Sequence, residues 1–152
     1  MQCITKHREQ TEEWLNNFTN FSNAVSVTLH YNESLQDKNF NTKQRLQKAN
    51  KRLFRNLERS IFTRQKDRLK RIVVNETKLT SRNHLHMLIQ IPENETYETF
   101  KAKLWVASNK TNEFLENTLD TTQIYNAKNL INYVTKESNY TIDNIDVLNS
   151  RY

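Results

Sequence analysis

The stretch His84-Leu85-His86-Met87-Leu88-Ile89-Gln90-Ile91-Pro92 constrains the fold more than any other part of the chain. Side chains of an extended segment switch faces at every residue. Leu85, Met87, Ile89 and Ile91 therefore share one side, and His84, His86, Leu88 and Gln90 the other. Such a strand must lay its apolar side on a core. It ends at Pro92, which has no amide hydrogen to give a ladder. The other side presents two imidazoles next to each other. Two neutral imidazoles at that spacing hold one divalent metal when a third ligand reaches them from elsewhere.

The rest of the chain supplies partners for this strand. In Ala24–Tyr31, Val25, Val27, Leu29 and Tyr31 alternate with Ser26, Thr28 and His30, the pattern of a half-buried strand. From Thr42 to Phe62, Leu46, Ala49, Leu53, Leu57 and Ile61 recur every three or four residues and make one apolar helical stripe. Leu69–Glu76 reads as a strand centred on Ile72, Val73 and Val74. The polar turn Thr77–Asn83 then predicts antiparallel pairing with the histidine strand.

Further helices are expected at Thr11–Phe21, Tyr97–Asn109 and Asn129–Ser138, and a short strand at Thr121–Tyr125. Residues 110–120 fit either a helical turn or a loop, with Phe114, Leu115 and Leu119 to be buried. This order predicts an α+β fold: an antiparallel-rich central sheet with helices mainly on one face and an open second face. His84, His86, Thr28 and His30 fall on the open side by the pleat count.

Composition narrows the chemistry. The 152 residues include no glycine. A glycine-rich phosphate loop or dinucleotide fingerprint is therefore excluded, and turns must use Asn, Asp and Ser. Any phosphate chemistry then rests on metal and side chains. The net charge of +6 is concentrated. Residues 43–71 carry twelve lysines and arginines against Glu58 and Asp67 alone, while the remainder is acidic. A basic block of this kind suits a polyanion such as nucleic acid. The block includes Lys48, Lys51, Arg52 and Arg55, and Arg82 lies beside the histidine strand. The length suits one domain. The single Cys3 excludes an intrachain disulfide and fits a reducing, cytoplasmic interior. No apolar run approaches the length of a membrane span, and no signal-peptide core is present in the polar N-terminal stretch.

A third metal ligand is available at the end of the preceding strand. In an antiparallel pair joined by a turn, Glu76 comes close to His84. Two imidazoles and one carboxylate leave coordination positions for water or a phosphate oxygen. The mixed set suits Mn²⁺ or Mg²⁺. Ile72 and Val74 share the parity of Glu76, so either the open face is partly apolar or a bulge resets the register there. In the final expected helix, Tyr133 and Lys136 are three residues apart and share a helix face.

Glu76, His84-Leu85-His86 and Tyr133-Val134-Thr135-Lys136, in this order and spacing, resemble the HUH endonuclease superfamily in its rolling-circle replication initiator (Rep) branch. Leu85 stands for the hydrophobic residue between the paired histidines, and Tyr133 and Lys136 match the later Tyr-x-x-Lys motif. Val25–Tyr31 resembles the first strand motif of that family. The likeness covers about residues 24–139, with 1–23 as a helical extension and 140–152 as a tail of a single nuclease domain. The usual loop glycines are missing, residues 110–120 have no evident counterpart, and no helicase domain follows.

The resemblance implies metal-dependent nicking and rejoining of single-stranded or hairpin DNA at a replication origin of a plasmid or virus. It assigns Glu76, His84 and His86 to a divalent metal, Mn²⁺ or Mg²⁺. Tyr133 becomes the nucleophile that forms a 5′-phosphotyrosine link, and Lys136 its cationic neighbour. Thr28, His30, Lys48, Lys51, Arg52, Arg55 and Arg82 are assigned to DNA, and unwinding to a separate helicase. Other readings are a transposase of the single-strand insertion-sequence type and a non-catalytic nucleic-acid-binding module. An RNA-recognition module would place aromatic rings where this chain places histidines.

Overall fold

The computed structural model describes residue 13 and residues 23–64, 66–125 and 145–151. The helices expected over Thr11–Phe21 and Asn129–Ser138 fall outside them, Glu13 apart. Along the chain come β1 (Ala24–His30), α1 (Thr42–Ile61), β2 (Arg71–Glu76), β3 (His84–Gln90), α2 (Tyr97–Lys110) and β4 (Asp120–Ile124). A turn of 3₁₀ helix, Glu33–Leu35, lies between β1 and α1.

The four strands form one antiparallel sheet in the order β2-β3-β1-β4. β3 lies inside it, which explains its long apolar side. Both helices cover the face carrying Val25, Val27 and Leu29 of β1, Val73 of β2, and Leu85, Met87 and Ile89 of β3. From α1 come Leu46, Ala49, Leu53, Leu57 and Ile61, as the stripe predicts, and from α2 come Phe100, Leu104 and Ala107. Each fully buried Leu or Ile contributes about 1.5–3 kcal/mol relative to an exposed one. α2 begins in a capping box in which Thr96 and Thr99 each satisfy the other's backbone amide.

The α+β architecture therefore agrees with the expectation, and three details differ. β2 begins at Arg71 rather than Leu69. Residues 111–119 are a loop, tied to β1 by the Tyr31–Phe114 bridge and turned at Asn117, whose φ is 62°. In a chain without glycine, asparagine takes that left-handed position because its short polar side chain tolerates it best. Phe114 is buried there, but Leu115 stays exposed, against the expectation. The third detail concerns the second face of the sheet. It is open around His84, but Ile72, Val74 and Leu88 on it are buried. The β2–β3 register runs without a bulge from Arg71–Ile89 to Glu76–His84, so this face is partly apolar.

The segment 145–151 pairs with the outer edge of β2. Ile145 bridges Val74 and Arg151 bridges Arg71. Asp146, 1% exposed, accepts hydrogen bonds from Asn50 Nδ2 of α1 (2.9 Å) and Asn149 Nδ2 (2.6 Å). Tyr31 Oη lies 2.5 Å from Asn50 Oδ1 and 2.7 Å from Asn75 Oδ1. This buried polar chain joins β1, α1, β2 and the C-terminal segment. Burial drives the Tyr31 phenol well above its usual pKa, with a smaller opposing effect from its hydrogen bond to Asn50.

Candidate metal centre

The register of the sheet assembles the site. Glu76 pairs with His84, and His84 with His30, in one row across the face away from the helices. His86 pairs with Thr28 in the next row. Glu76, His84 and His86 thus come from facing ends of β2 and β3, and all three are only partly buried.

Their ligand atoms converge. His84 Nε2 lies 2.8 Å from Glu76 Oε2 and 2.9 Å from His86 Nε2. His86 Nε2 lies 2.9 Å from the same carboxylate oxygen. The other ring nitrogens are engaged elsewhere. His84 Nδ1 is 2.8 Å from the Arg82 carbonyl oxygen. A carbonyl cannot donate, so Nδ1 carries the hydrogen, and in the neutral ring Nε2 keeps a lone pair. His86 Nδ1 is 3.1 Å from Thr28 Oγ1, and donation to that hydroxyl leaves its Nε2 likewise free to ligate.

Three lone-pair-bearing atoms this close need a cation among them. A metal about 2.1 Å from each of two ligands at right angles sets those ligands about 3 Å apart. The observed triangle meets that spacing on all three sides, so these residues fit a divalent ion.

Neighbouring groups tune the carboxylate. Burial raises the Glu76 pKa, but the hydrogen bond from Lys78 and the nearby His84 and His86 outweigh it, and the net shift is downward. Lys78 Nζ sits 3.1 Å from Glu76 Oε1, which leaves Oε2 directed at the imidazoles. His30 stacks on His84 with ring centroids 5.3 Å apart. Its pKa is lowered, first by burial and then by His84, Arg82 and His86.

The remaining expected site residues separate into groups. Thr28 and His30 do lie beside the triad. The Arg82 side chain pairs with Glu33 at 2.6 Å, and its carbonyl orients His84. Lys48, Lys51, Arg52 and Arg55 project from α1, on the other side of the sheet from the triad. Arg52 is paired there with Glu113. Tyr133 and Lys136 lie outside the described residues.

Two side chains near the site escaped the sequence reading. Lys78 carried no signal beyond its nearness to Glu76. Lys38, in the polar loop before α1, donates to the Ser81 carbonyl (2.8 Å) and to Asn83 Oδ1. Its pKa is lowered by burial, with Glu76 opposing. A loop lysine distant in sequence gives no periodicity by which to find it.

The family model for replication-associated protein ORF2 matches residues 24–141, more than half of the chain. The chain belongs to this replication-associated family. No curated protein and no solved structure matches it. The family match opens on the first residue of β1 and takes in every strand and both helices described above. It also spans Glu76, His84, His86, Tyr133 and Lys136. Among the described residues of this replication-associated chain, no helix is long and apolar enough to cross a membrane.

Proposed function

We propose that this member of the replication-associated family nicks and rejoins single-stranded DNA at a replication origin through an HUH-type site. The observation that carries the reading is the triangle of Glu76 Oε2, His84 Nε2 and His86 Nε2, with sides of 2.8–2.9 Å. Glu76, His84 and His86 would hold Mn²⁺ or Mg²⁺. When bound, such an ion neutralises charge on a phosphate oxygen.

The chain's own groups do the rest. The Arg82 carbonyl and Thr28 hold the two imidazoles in the ligating tautomer, and Lys78 turns the carboxylate toward them. His30 and Lys38 flank the site on the exposed end of the sheet and line the path of a single strand. Tyr133 attacks the scissile phosphorus, and the bond to the 3′ oxygen breaks. The phenolic proton is lost to solvent, and the departing 3′ oxygen takes up a proton as a free hydroxyl. A phenol has a pKa of about 10, so it needs help near neutrality. Lys136, one helical turn away in the expected helix, favours the phenolate. The phosphotyrosine link keeps the energy of the phosphodiester, so a 3′ hydroxyl can reverse the step and rejoin DNA. Unwinding falls to a separate helicase.

The test uses labelled single-stranded oligonucleotides, some with hairpins, incubated with Mn²⁺ or with EDTA. A covalent protein–DNA band is expected with Mn²⁺ alone, lost in Tyr133→Phe and in the double variant His84→Ala/His86→Ala. Cleavage that persists in the histidine variant would sink the metal assignment. Attachment at Tyr125 or Tyr140 would sink the choice of nucleophile.

A further inference from the structure

A second basic surface lies on the opposite side of the sheet. Between α1 and the C-terminal segment runs a groove of ≈ 1470 Å³. Lys48, Lys51, Arg55 and Arg59 of α1 line it, with Arg64 from the following turn and Arg151 from the facing wall. The α1 residues fall at helical spacing on one face. The groove is built on rigid parts. Its floor holds Arg71, 3% exposed, whose guanidinium sits 3.8 Å from the Phe54 ring centroid. Its far wall is fixed by the Arg71–Arg151 backbone pair and by Asn149 Nδ2 donating to the Gln47 carbonyl (3.0 Å).

The groove is far from neutral. It contains two acids, Glu58 and Asp67. Glu58 is buried and turned inward, accepting from the Leu69 amide (2.8 Å) and from Arg71 (3.1 Å). Among the described residues, Lys48, Lys51, Arg55, Arg59, Arg64 and Arg151 make no ion pair, whereas Arg45, Arg52, Arg82 and Lys103 each have a carboxylate. Six uncompensated cations round one cleft repel each other, and an anionic partner relieves that repulsion.

We propose that this groove binds the phosphate backbone of duplex DNA, separately from the metal centre and independently of the nicking reading. Single strands are gripped by exposed aromatic rings on which bases stack. Here Phe54 lies beneath Arg71 and Phe62 is half-buried, so the groove offers cations without a stacking platform. That is the chemistry of backbone contact, which positions a duplex without reading it. Lys48 and Arg59 are eleven residues apart on α1, roughly 16 Å at the helical rise. At about 3.4 Å per phosphate along a duplex strand, that length meets four or five phosphates. The family's association with replication makes the duplex DNA.

The experiment measures anisotropy of a labelled blunt DNA duplex of arbitrary sequence in EDTA, across a salt series. Lys51→Gln/Arg55→Gln/Arg59→Gln should bind at least tenfold more weakly. Its plot of log K against log salt should be shallower by about 2.7, at roughly 0.9 per lost contact. An independent double variant, Lys48→Gln/Arg64→Gln, should flatten the plot by about 1.8 on the same basis. Lys51→Arg/Arg55→Lys/Arg59→Lys should retain both affinity and slope. Unchanged duplex binding in both neutralised variants overturns the proposal, as does an equal loss in the charge-preserving one. Tighter binding of a single strand or of phosphatidylserine vesicles, with the same dependence on these residues, also overturns it. Adduct formation through Tyr133 needs none of these side chains, so its loss and the loss of duplex binding are separate results.

Discussion

At the scale of single residues, the groups behind the metal ligands decide how well the site works. An imidazole free to rotate or to change tautomer would offer Nε2 only part of the time. Thr28 Oγ1 stands 3.1 Å from His86 Nδ1 and removes that freedom. Thr28→Val keeps the shape and deletes the hydroxyl. It should lower Mn²⁺ affinity by about ten- to a hundredfold, the usual range for the outer partner of a ligating histidine. Titration calorimetry with Mn²⁺ in the absence of DNA measures this directly. An affinity equal to that of the parent chain would show that Thr28 does not orient the ring.

At the scale of elements, the start of α2 shows how local chemistry sets stability. Glu95 precedes the capping box and pairs with Lys103, two turns into the helix, while Thr99 also donates to it. Lys103 and then Thr99 hold its carboxyl below the ordinary value of 4.5, against a smaller opposing effect of burial. A carboxylate whose folded pKa is depressed binds fewer protons folded than unfolded just below that value. Its contribution is therefore present above pH 4.5 and fades as pH falls through the folded value. Glu95→Gln should lower the thermal midpoint at pH 7 by a few degrees and by less at pH 3. A gap between variant and parent that widens toward acid would contradict this account.

The charged contact between α1 and β2 is of another kind. Arg71 and Glu58 are both buried, and burial pulls the Arg71 pKa down to about 10, with Glu58 opposing. Such a pair is costly to break, because the survivor is left charged without a partner.

At the scale of the molecule, the sheet divides two surfaces. One carries the carboxylate and imidazoles at its exposed end, the other the helices and the basic groove. The C-terminal segment holds these layers in register, since Asp146 accepts hydrogen bonds from both Asn50 of α1 and Asn149. Asp146→Ala would leave Asn50 and Asn149 buried with unmet donors. Losing a charged acceptor from such a network costs about 2–4 kcal/mol. Urea unfolding should show that loss, and amide exchange at Arg71 and Arg151, paired backbone to backbone, should speed up. Stability equal to the parent would mean that the segment is held by its apolar contacts alone.

Much of this was legible in the residues themselves. Strand alternation in 24–31 and 84–91 and the apolar stripe of α1 are local patterns, set by the period of each element and the need to bury one face. They were enough to place four strands, two helices and the pairing of Glu76 with the histidines. The buried chain through Tyr31, Asn50, Asn75 and Asp146 also left a trace. Asn50 stands between stripe residues, and Asn75 shares the core parity of Val73. What nothing local could decide was which charges would meet. Arg82 found Glu33, Arg52 found Glu113, and Lys38 came to lie by Glu76, across 49, 61 and 38 residues of chain. The basic residues of α1 were plain in the sequence, but their separation from the metal centre came only with packing. A helix must turn its apolar stripe to the sheet, and that choice carried its cations to the side away from the histidines.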